Sequence, residues 1–370
     1  MRPVRTKQDL RRFIAFPYRL HRGDPMWVAP LRMDIATLLS RTKNPFFEHA
    51  EAEYFLAERD GRVVGRIAAI KNDAHGAFHP EETHVGFFGF FECVDEQSVA
   101  DALFAEAAKW LRARGFSVMR GPASFSTNDE CGLLVDGFDT PPAIMNPHNP
   151  RYYVGLVERA GFAKVMDLVC YEGQDETGPP QRLIDAARKL AARSGITLRT
   201  LDMKRFDEEV EKVKQVYNAA WEKNWGFIPM TDAELNHLAK QLKPVVVPEL
   251  VVFAEKQGQL IGMAISLPDF NVALKHNPSG RLLPFGLLKI LYYKNKIHRL
   301  RTLTLGVLPA YRRSGADALM YEHTWRVGTG LGIHWGEASW LLETNAAIRN
   351  PMEKMGFRLY KTLRMYDKTL

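Results

Sequence analysis

One order of elements is written twice along this chain, and that repetition constrains the fold more than any single motif. Residues 54–57 and 63–70 are β-type runs around Arg59-Asp60-Gly61, the pattern of a hairpin. Residues 250–254 and 260–267 repeat it around Lys256-Gln257-Gly258. Each hairpin leads to a further apolar strand, at 85–93 in the first half and 302–307 in the second. A helix follows each, and in the first Leu103, Ala107, Trp110 and Leu111 recur at helical spacing. The helix starts lie over one another, QSVADAL at 97–103 on RSGADAL at 313–319. Each half ends with a strand, an Asn-led helix and Gly-Phe before a last β run. Those are Asn149 to Gly161-Phe162 and Asn345 to Gly356-Phe357. Five elements in matching order predict two copies of one fold.

The length agrees, because 370 residues exceed one ordinary core. The polar, turn-rich GQDETGPP at 173–180 reads as the connection. The expected division is an N-terminal domain at 1–172, a linker at 173–183 and a C-terminal domain at 184–370. No window reaches the ~18 uncharged apolar residues of a membrane-spanning helix. The start, MRPVRTKQDLRRF, lacks the apolar stretch of a secretory signal. Cys93, Cys131 and Cys170 are too widely spaced for a disulfide framework or a metal-ligand pair. A cytoplasmic protein is expected.

The net charge of +7 is local: no acidic residue lies between Asp269 and Asp317, an interval holding nine Lys and Arg. Within it, LLPFGLLKILYY at 282–293 carries one charge, and KNKIHRLR at 294–301 carries four Lys and Arg plus His298. Residues 285–301 show no clean helical stripe; the segregation runs end to end. That suits Leu287, Leu288 and Leu291 dipping into a bilayer interface, with Lys294, Lys296 and Arg299 among anionic head groups. A buried helix with a basic exit is the other reading. Nucleic acid is disfavoured, since Phe285, Tyr292 and Tyr293 sit in a leucine-rich context suited to burial rather than base stacking.

The sequence LGVLPAYRRSGADAL at 305–319 runs strand, Pro, aromatic, basic pair, Gly, then helix. A helix N-terminus offers free amides and partial positive charge to a pyrophosphate. Gly315 and Ala316 would let that backbone approach, and Arg312 and Arg313 add charge. This segment resembles the central motif of the GNAT superfamily. ETN at 343–345 and EKMGF at 353–357 resemble its second motif. The resemblance covers about 200–370 well and about 50–172 more faintly. It implies an α/β fold (α+β, mixed sheet) in two tandem GNAT-like domains, acyl-CoA as co-substrate without a metal, and acylation of an amine. It places the pantetheine arm along Leu305, Gly306 and Val307, and the phosphates at Arg312, Arg313, Ser314, Gly315 and Ala316, with Asn345 nearby.

Two departures matter. Asp317 takes a position usually small in the family, and the first copy, QSVADA, has no glycine and follows Asp95 and Glu96. Acyl-CoA is therefore expected only in the C-terminal copy, with the N-terminal copy shaping the substrate site. The tyrosine that many members use as general acid is replaced by Met352, and by Val157 in the first copy.

A general base must take a proton from the amine. Glu337, Ser339, Leu341 and Glu343 alternate along one strand and share a face. If it lines the cleft either glutamate could serve; a solvated face is the alternative. Glu92 follows the aromatic run at 87–91, where apolar surroundings could raise its pKa, and is the third candidate; a strand cap is the alternative. His75, His79 and His84 read as a loop around Gly76 and Pro80, with no metal expected. The apolar insertion at 270–301, beside the acyl-CoA motif, points to long-chain acyl-CoA, a lipophilic amine and peripheral contact with an anionic membrane. In length and double layout the chain resembles the bacterial ceramide synthases, which acylate a sphingoid base. An acetyltransferase for a small polar amine and a non-catalytic acyl-CoA or lipid binder are the rival readings.

Overall fold

The computed structural model describes residues 1–174, 178–222 and 224–370. Asp175, Glu176 and Thr177, in the expected linker, lie outside the described residues. The chain forms two compact units. The first comprises Met1–Leu168, Ala273–Lys294 and Lys361–Leu370; the second comprises Val169–Val272 and Asn295–Tyr360.

The strands of the first unit are β1 (Arg2–Pro3), β2 (Ala50–Arg59), β3 (Arg62–Asn72), β4 (Val85–Cys93) and β5 (Val118–Gly121). Short strands β6 (Ala123–Ser124), β7 (Glu130–Cys131) and β8 (Leu133–Asp136) follow. Its helices are α1 (Lys7–Leu20), α2 (Arg32–Leu38), α3 (Asp73–Phe78), α4 (Gln97–Arg112) and α5 (Tyr152–Arg159). β9 (Ala163–Gln174) then carries the chain into the second unit. There follow α6 (Gln181–Ser194), β10 (Ile196–Thr200), α7 (Phe206–Trp221), α8 (Asp232–Leu242), β11 (Val251–Lys256) and β12 (Gln259–Pro268). The insertion forms α9 (Asn271–Leu274) and α10 (Gly286–Tyr293). β13 (Arg299–Val307), α11 (Ala316–Gly330), β14 (Trp335–Leu342), α12 (Ala346–Lys354) and β15 (Arg358–Thr369) complete the chain.

In the first unit the strand order is β1-β2-β3-β4-β5 followed by the end of β15, which also pairs with β8. Only β4 and β5 run parallel in that series. In the second unit the order is β10-β11-β12-β13-β14, then β9, and β13 and β14 are parallel. Each sheet is covered on both faces. In the first, Leu103, Ala107 and Leu111 of α4 are buried against Phe88 and Ile67, while Phe13 of α1 packs with Tyr54 and Phe125. In the second, Ala316 and Met320 of α11 pack against Val252 and Ala264, and α7 and α8 pack against Phe253 and Met263.

The insertion packs away from the half in which it is encoded, since 273–294 belongs to the first unit. The Arg32 amide donates to Gly280 O (2.9 Å), and Arg32 Nε donates to Ser279 O (2.8 Å). The Arg32 guanidinium also lies 4.1 Å from the Tyr18 ring centre. Such contacts join distant parts of the chain and leave no periodic signal. The histidine segment is helical rather than a loop: Asn72 caps α3, and His75 faces Glu82 at 3.1 Å.

Candidate functional site

Two parallel strands that separate create the site. β13 and β14 pair only from Arg299 with Trp335 to Thr302 with Ala338. Both continue beyond, to Val307 and Leu342. On the other side of β13, Ser266 pairs with Thr302 but Ile265 pairs with Thr304, so Leu303 is an extra residue. A bulge bends its strand, and this one lies at the apex of the fork. Among the described residues, no strand ladder takes up that edge of 303–307. Its amides and carbonyls suit an extended ligand that pairs like a strand.

Beyond the fork, residues 308–315 connect β13 to α11. Arg313 (φ 66°) and Gly315 (φ 85°) are both left-handed there, a backbone that turns successive amides toward one point. Among the described residues no side chain caps α11, which leaves its first amides as candidate donors to an anion. Ser314 Oγ is buried without a hydrogen-bond partner. Arg312 and Arg313 are exposed, and Arg312 Nη2 donates to Ala220 O (3.2 Å). Asp317 is also exposed, so its carboxylate turns into solvent. Leu305, Gly306 and Val307 occupy the unladdered stretch, and the Trp221 indole packs over Gly306 so closely that a Cβ there would lie 2.3 Å from it. Thr304 Oγ1 and Asn218 Oδ1, on this strand and on α7, are buried without partners.

Glu337 stands one residue before the apex, in register with Arg301, and is 1% exposed. Ser339 Oγ and the Tyr360 hydroxyl both donate to its carboxylate, and Arg301 Nε lies 3.5 Å from it. Burial pushes the Glu337 carboxyl above the usual carboxylate range, against the pull of Arg301 and Ser339. Arg301 Nη2 donates to Ser339 O (3.2 Å). Next to this group Arg299 Nε lies 3.4 Å from Asp269, with the guanidinium 3.7 Å from the Trp335 ring centre. Arg299 Nη2 is buried with no hydrogen-bond partner. The shared strand face therefore points inward over Glu337 and Ser339, and the solvated reading fails for these two. β14 ends at Leu342, so Glu343 lies past the strand, where its carbonyl accepts from Arg349 Nη1 (2.5 Å). Asn345 follows at the N-cap of α12.

Two expectations need correction. Glu92 is not raised toward a base's pKa. Burial pushes it up, but His21 at 2.8 Å, Arg66 and the Tyr153 hydroxyl outweigh that and hold it below the usual carboxylate range. Its role is a buried tie in the first unit. Arg299 is not available to a membrane, because it is strand-bound and paired with Asp269. Leu287, Leu288 and Leu291 are exposed, as are Lys294 and Lys296. Sequence reasoning also missed Arg301, Tyr360, Asp269 and Asn218. Arg299 and Arg301 sit two apart in a strand and so share a face, a signal hidden by counting them with the basic run.

No protein-family model matches the chain. It is 41% identical over 375 aligned positions to the bacterial ceramide synthase of Caulobacter vibrioides, spanning all of this chain and 97% of that one. The chain belongs to that family. Protein YghO of Escherichia coli is 34% identical over 381 positions, covering 100% of this chain and 95% of its own. Among solved structures, the tandem GNAT protein of the clavulanic acid biosynthesis pathway aligns with TM-score 0.57 and 12% identity, over 99% of this chain and 97% of that one. A glucosamine N-acetyltransferase region of a fungal multidomain β-N-acetylglucosaminidase aligns at 0.59 and 10%, over 99% and 38%. The fold is thus tandem GNAT, and this member of the ceramide synthase family is an N-acyltransferase. No helix among the described residues is long and apolar enough to cross a membrane.

Proposed function

We propose that the chain transfers a long-chain acyl group from CoA to the amine of a lipophilic acceptor such as a sphingoid base, the activity for which its Caulobacter relative is named. The observation that carries this reading is the fork of the second unit, with an uncapped helix start on one side and buried Glu337 at its apex. The phosphates meet the α11 amides, Ser314 Oγ, Arg312 and Arg313. The pantetheine arm pairs along 303–307, with Thr304 and Asn218 as hydrogen-bonding groups for its amides. The thioester then reaches the apex.

Glu337 acts there as general base. As the amine nitrogen bonds to the thioester carbon, Glu337 takes the nitrogen's proton, the carbon–sulfur bond breaks, and the CoA thiolate leaves to be protonated by water. A raised pKa suits a carboxyl that must accept a proton near neutral pH. Ser339 and Tyr360 orient it, and Glu343, past the end of the strand, is the alternate base. Arg299 Nη2 is a donor suited to an acceptor hydroxyl or carbonyl near the amine. In the first unit the exposed leucines of α10 favour contact with a lipid surface, with Lys294 worth about 1 kcal/mol at anionic head groups. Lys296, also exposed, is a second such cation.

The test is purified protein with palmitoyl-CoA and sphinganine, read by mass spectrometry. A new amide and stoichiometric free thiol are expected. Turnover only with acetyl-CoA and polar amines would replace the reading with a small-amine acetyltransferase. Binding of palmitoyl-CoA without thiol release for any amine would make the chain a binder.

A further inference from the structure

The polar cluster fills only one face of the sheet at the fork. On the opposite face, beneath α11, lies a cavity partly open to solvent. Leu300, Tyr321, Trp325, Gly328, Ile333 and Phe357 line it. So do Thr302 and Ala338, the last paired residues before the strands part. The cavity thus begins at the apex, where the thioester is placed, and runs away from the phosphate loop.

The order of contacts along α11 fixes this direction. Its first residue, Ala316, stands at the phosphate loop, and Met320 one turn later packs with Val307. Thr324 lines the cavity, and Gly328, two turns beyond Met320, lies against Leu300. From Ala316 to Gly328 the helix rises about 18 Å. A donor lying along β13 from loop to apex would project its acyl tail next into the cavity. The lining is aromatic and aliphatic, the chemistry that rewards burial of methylenes. Glu337 borders the cavity as well, but its side chain and that of Ser339 alternate with Ala338 and so leave the strand on the other face. Tail and amine would therefore approach the apex from opposite faces.

We infer that this cavity binds the tail of the acyl donor and sets its chain-length preference, with Gly328 and Trp325 as the residues that determine its depth. The inference rests on the assignment of the phosphate loop to CoA. A Cβ at Gly328 would already lie 3.2 Å from Leu300 Cδ2, so Gly328→Leu fills the cavity while leaving loop and fork untouched.

Calorimetry with free CoA, acetyl-CoA and palmitoyl-CoA tests it on the full chain. The wild type should bind palmitoyl-CoA more tightly than acetyl-CoA. Gly328→Leu should weaken palmitoyl-CoA about fourfold for each methylene displaced, and tenfold or more in all, with CoA and acetyl-CoA unchanged. Trp325→Ala, which enlarges the cavity without crowding the helix, should shift the preference toward longer chains and serves if Gly328→Leu fails to fold. Equal affinity of the wild type for acetyl- and palmitoyl-CoA would overturn the inference. So would unchanged chain-length preference in Trp325→Ala. Failure of the wild type to bind free CoA would instead overturn the assignment of the loop.

Discussion

The two units contain the same fork, and only one of them is available to a ligand. In the first, β4 and β5 pair from Val85 with Val118 to Phe87 with Arg120 and then separate, as β13 and β14 do after Thr302. An extra residue falls in β4 as in β13: Ala68 pairs with Gly89 but Arg66 pairs with Glu92, and Phe90 takes φ 50°. Beyond this point the units diverge. The chain after β5 crosses back over β4, where Ser124 Oγ accepts from the Phe90 amide (3.1 Å) and a Cβ on Gly89 would lie 1.9 Å from Ala123 O. Phe125 then packs on Phe46 and Phe90. The first fork is filled by its own chain.

Their phosphate ends differ as well. Residues 308–315 separate β13 from α11, whereas only 94–96 separate β4 from α4. The N-cap of α4 is Glu96, which is paired with Arg59 at 2.6 Å. An acid at that position repels the anion that the matching end of α11 suits. A duplicated fold can thus keep its bulge and its split while losing the site, because the site depends on what occupies the split.

The largest effect that would break this comparison is loss of CoA binding. Gly315→Val places a branched residue at φ 85°, with Ala187 O 3.2 Å from its Cβ. We expect no measurable CoA binding by calorimetry, whereas Glu96→Ala, at the matching cap of the first unit, should leave affinity unchanged. Next, Glu337→Gln should lower kcat about a hundredfold or more. Because burial raises its pKa, the acid limb of the wild-type kcat profile should lie above the ordinary carboxylate range and disappear in the variant. Glu92→Gln, at the other buried strand carboxylate, should lower the Tm and leave that profile intact.

A smaller effect sharpens the claim that the first fork is filled. Gly89→Ala should destabilise the protein by about 1–3 kcal/mol through overpacking against Ala123, measured by denaturant unfolding, with CoA affinity preserved. The smallest concerns the first unit's tie to the end of β15. Glu82 is held down to about 2 by the His75 hydrogen bond first, then by Arg120, which also holds Asp367 (2.8 Å). A depressed carboxyl stabilises fully above its ordinary value of 4.5, and that contribution is lost as the pH falls toward 2. Glu82→Gln should therefore cost about 1 kcal/mol at neutral pH, and the gap in unfolding free energy should close across that interval.

The duplication, the hairpins and the loop before α11 were all legible along the chain, because period, turn chemistry and a glycine-bearing helix start are local properties. Ser314, Gly315 and Ala316 could be read as a helix start without coordinates for the same reason. Glu337 and Glu92 show the opposite case. Both are carboxylates in strands beside apolar residues, and their surroundings move them in opposite directions: Arg301 does not offset burial at Glu337, while His21 and Arg66 together outweigh it at Glu92. Arg299, read as part of a basic run, became a strand residue facing Asp269 once β12 and β13 paired. The insertion was visible as an apolar dozen, but its packing on the first unit depends on Arg32 and Tyr18, about 250 positions away. Sequence by itself determined the duplicated order of elements and, through the resemblance of its motifs, the fold, since turn chemistry and motif spacing are local. Tertiary structure alone decided which fork stays open and which carboxyl is held above its ordinary pKa, since burial and charge pairing arise between residues that the chain keeps far apart.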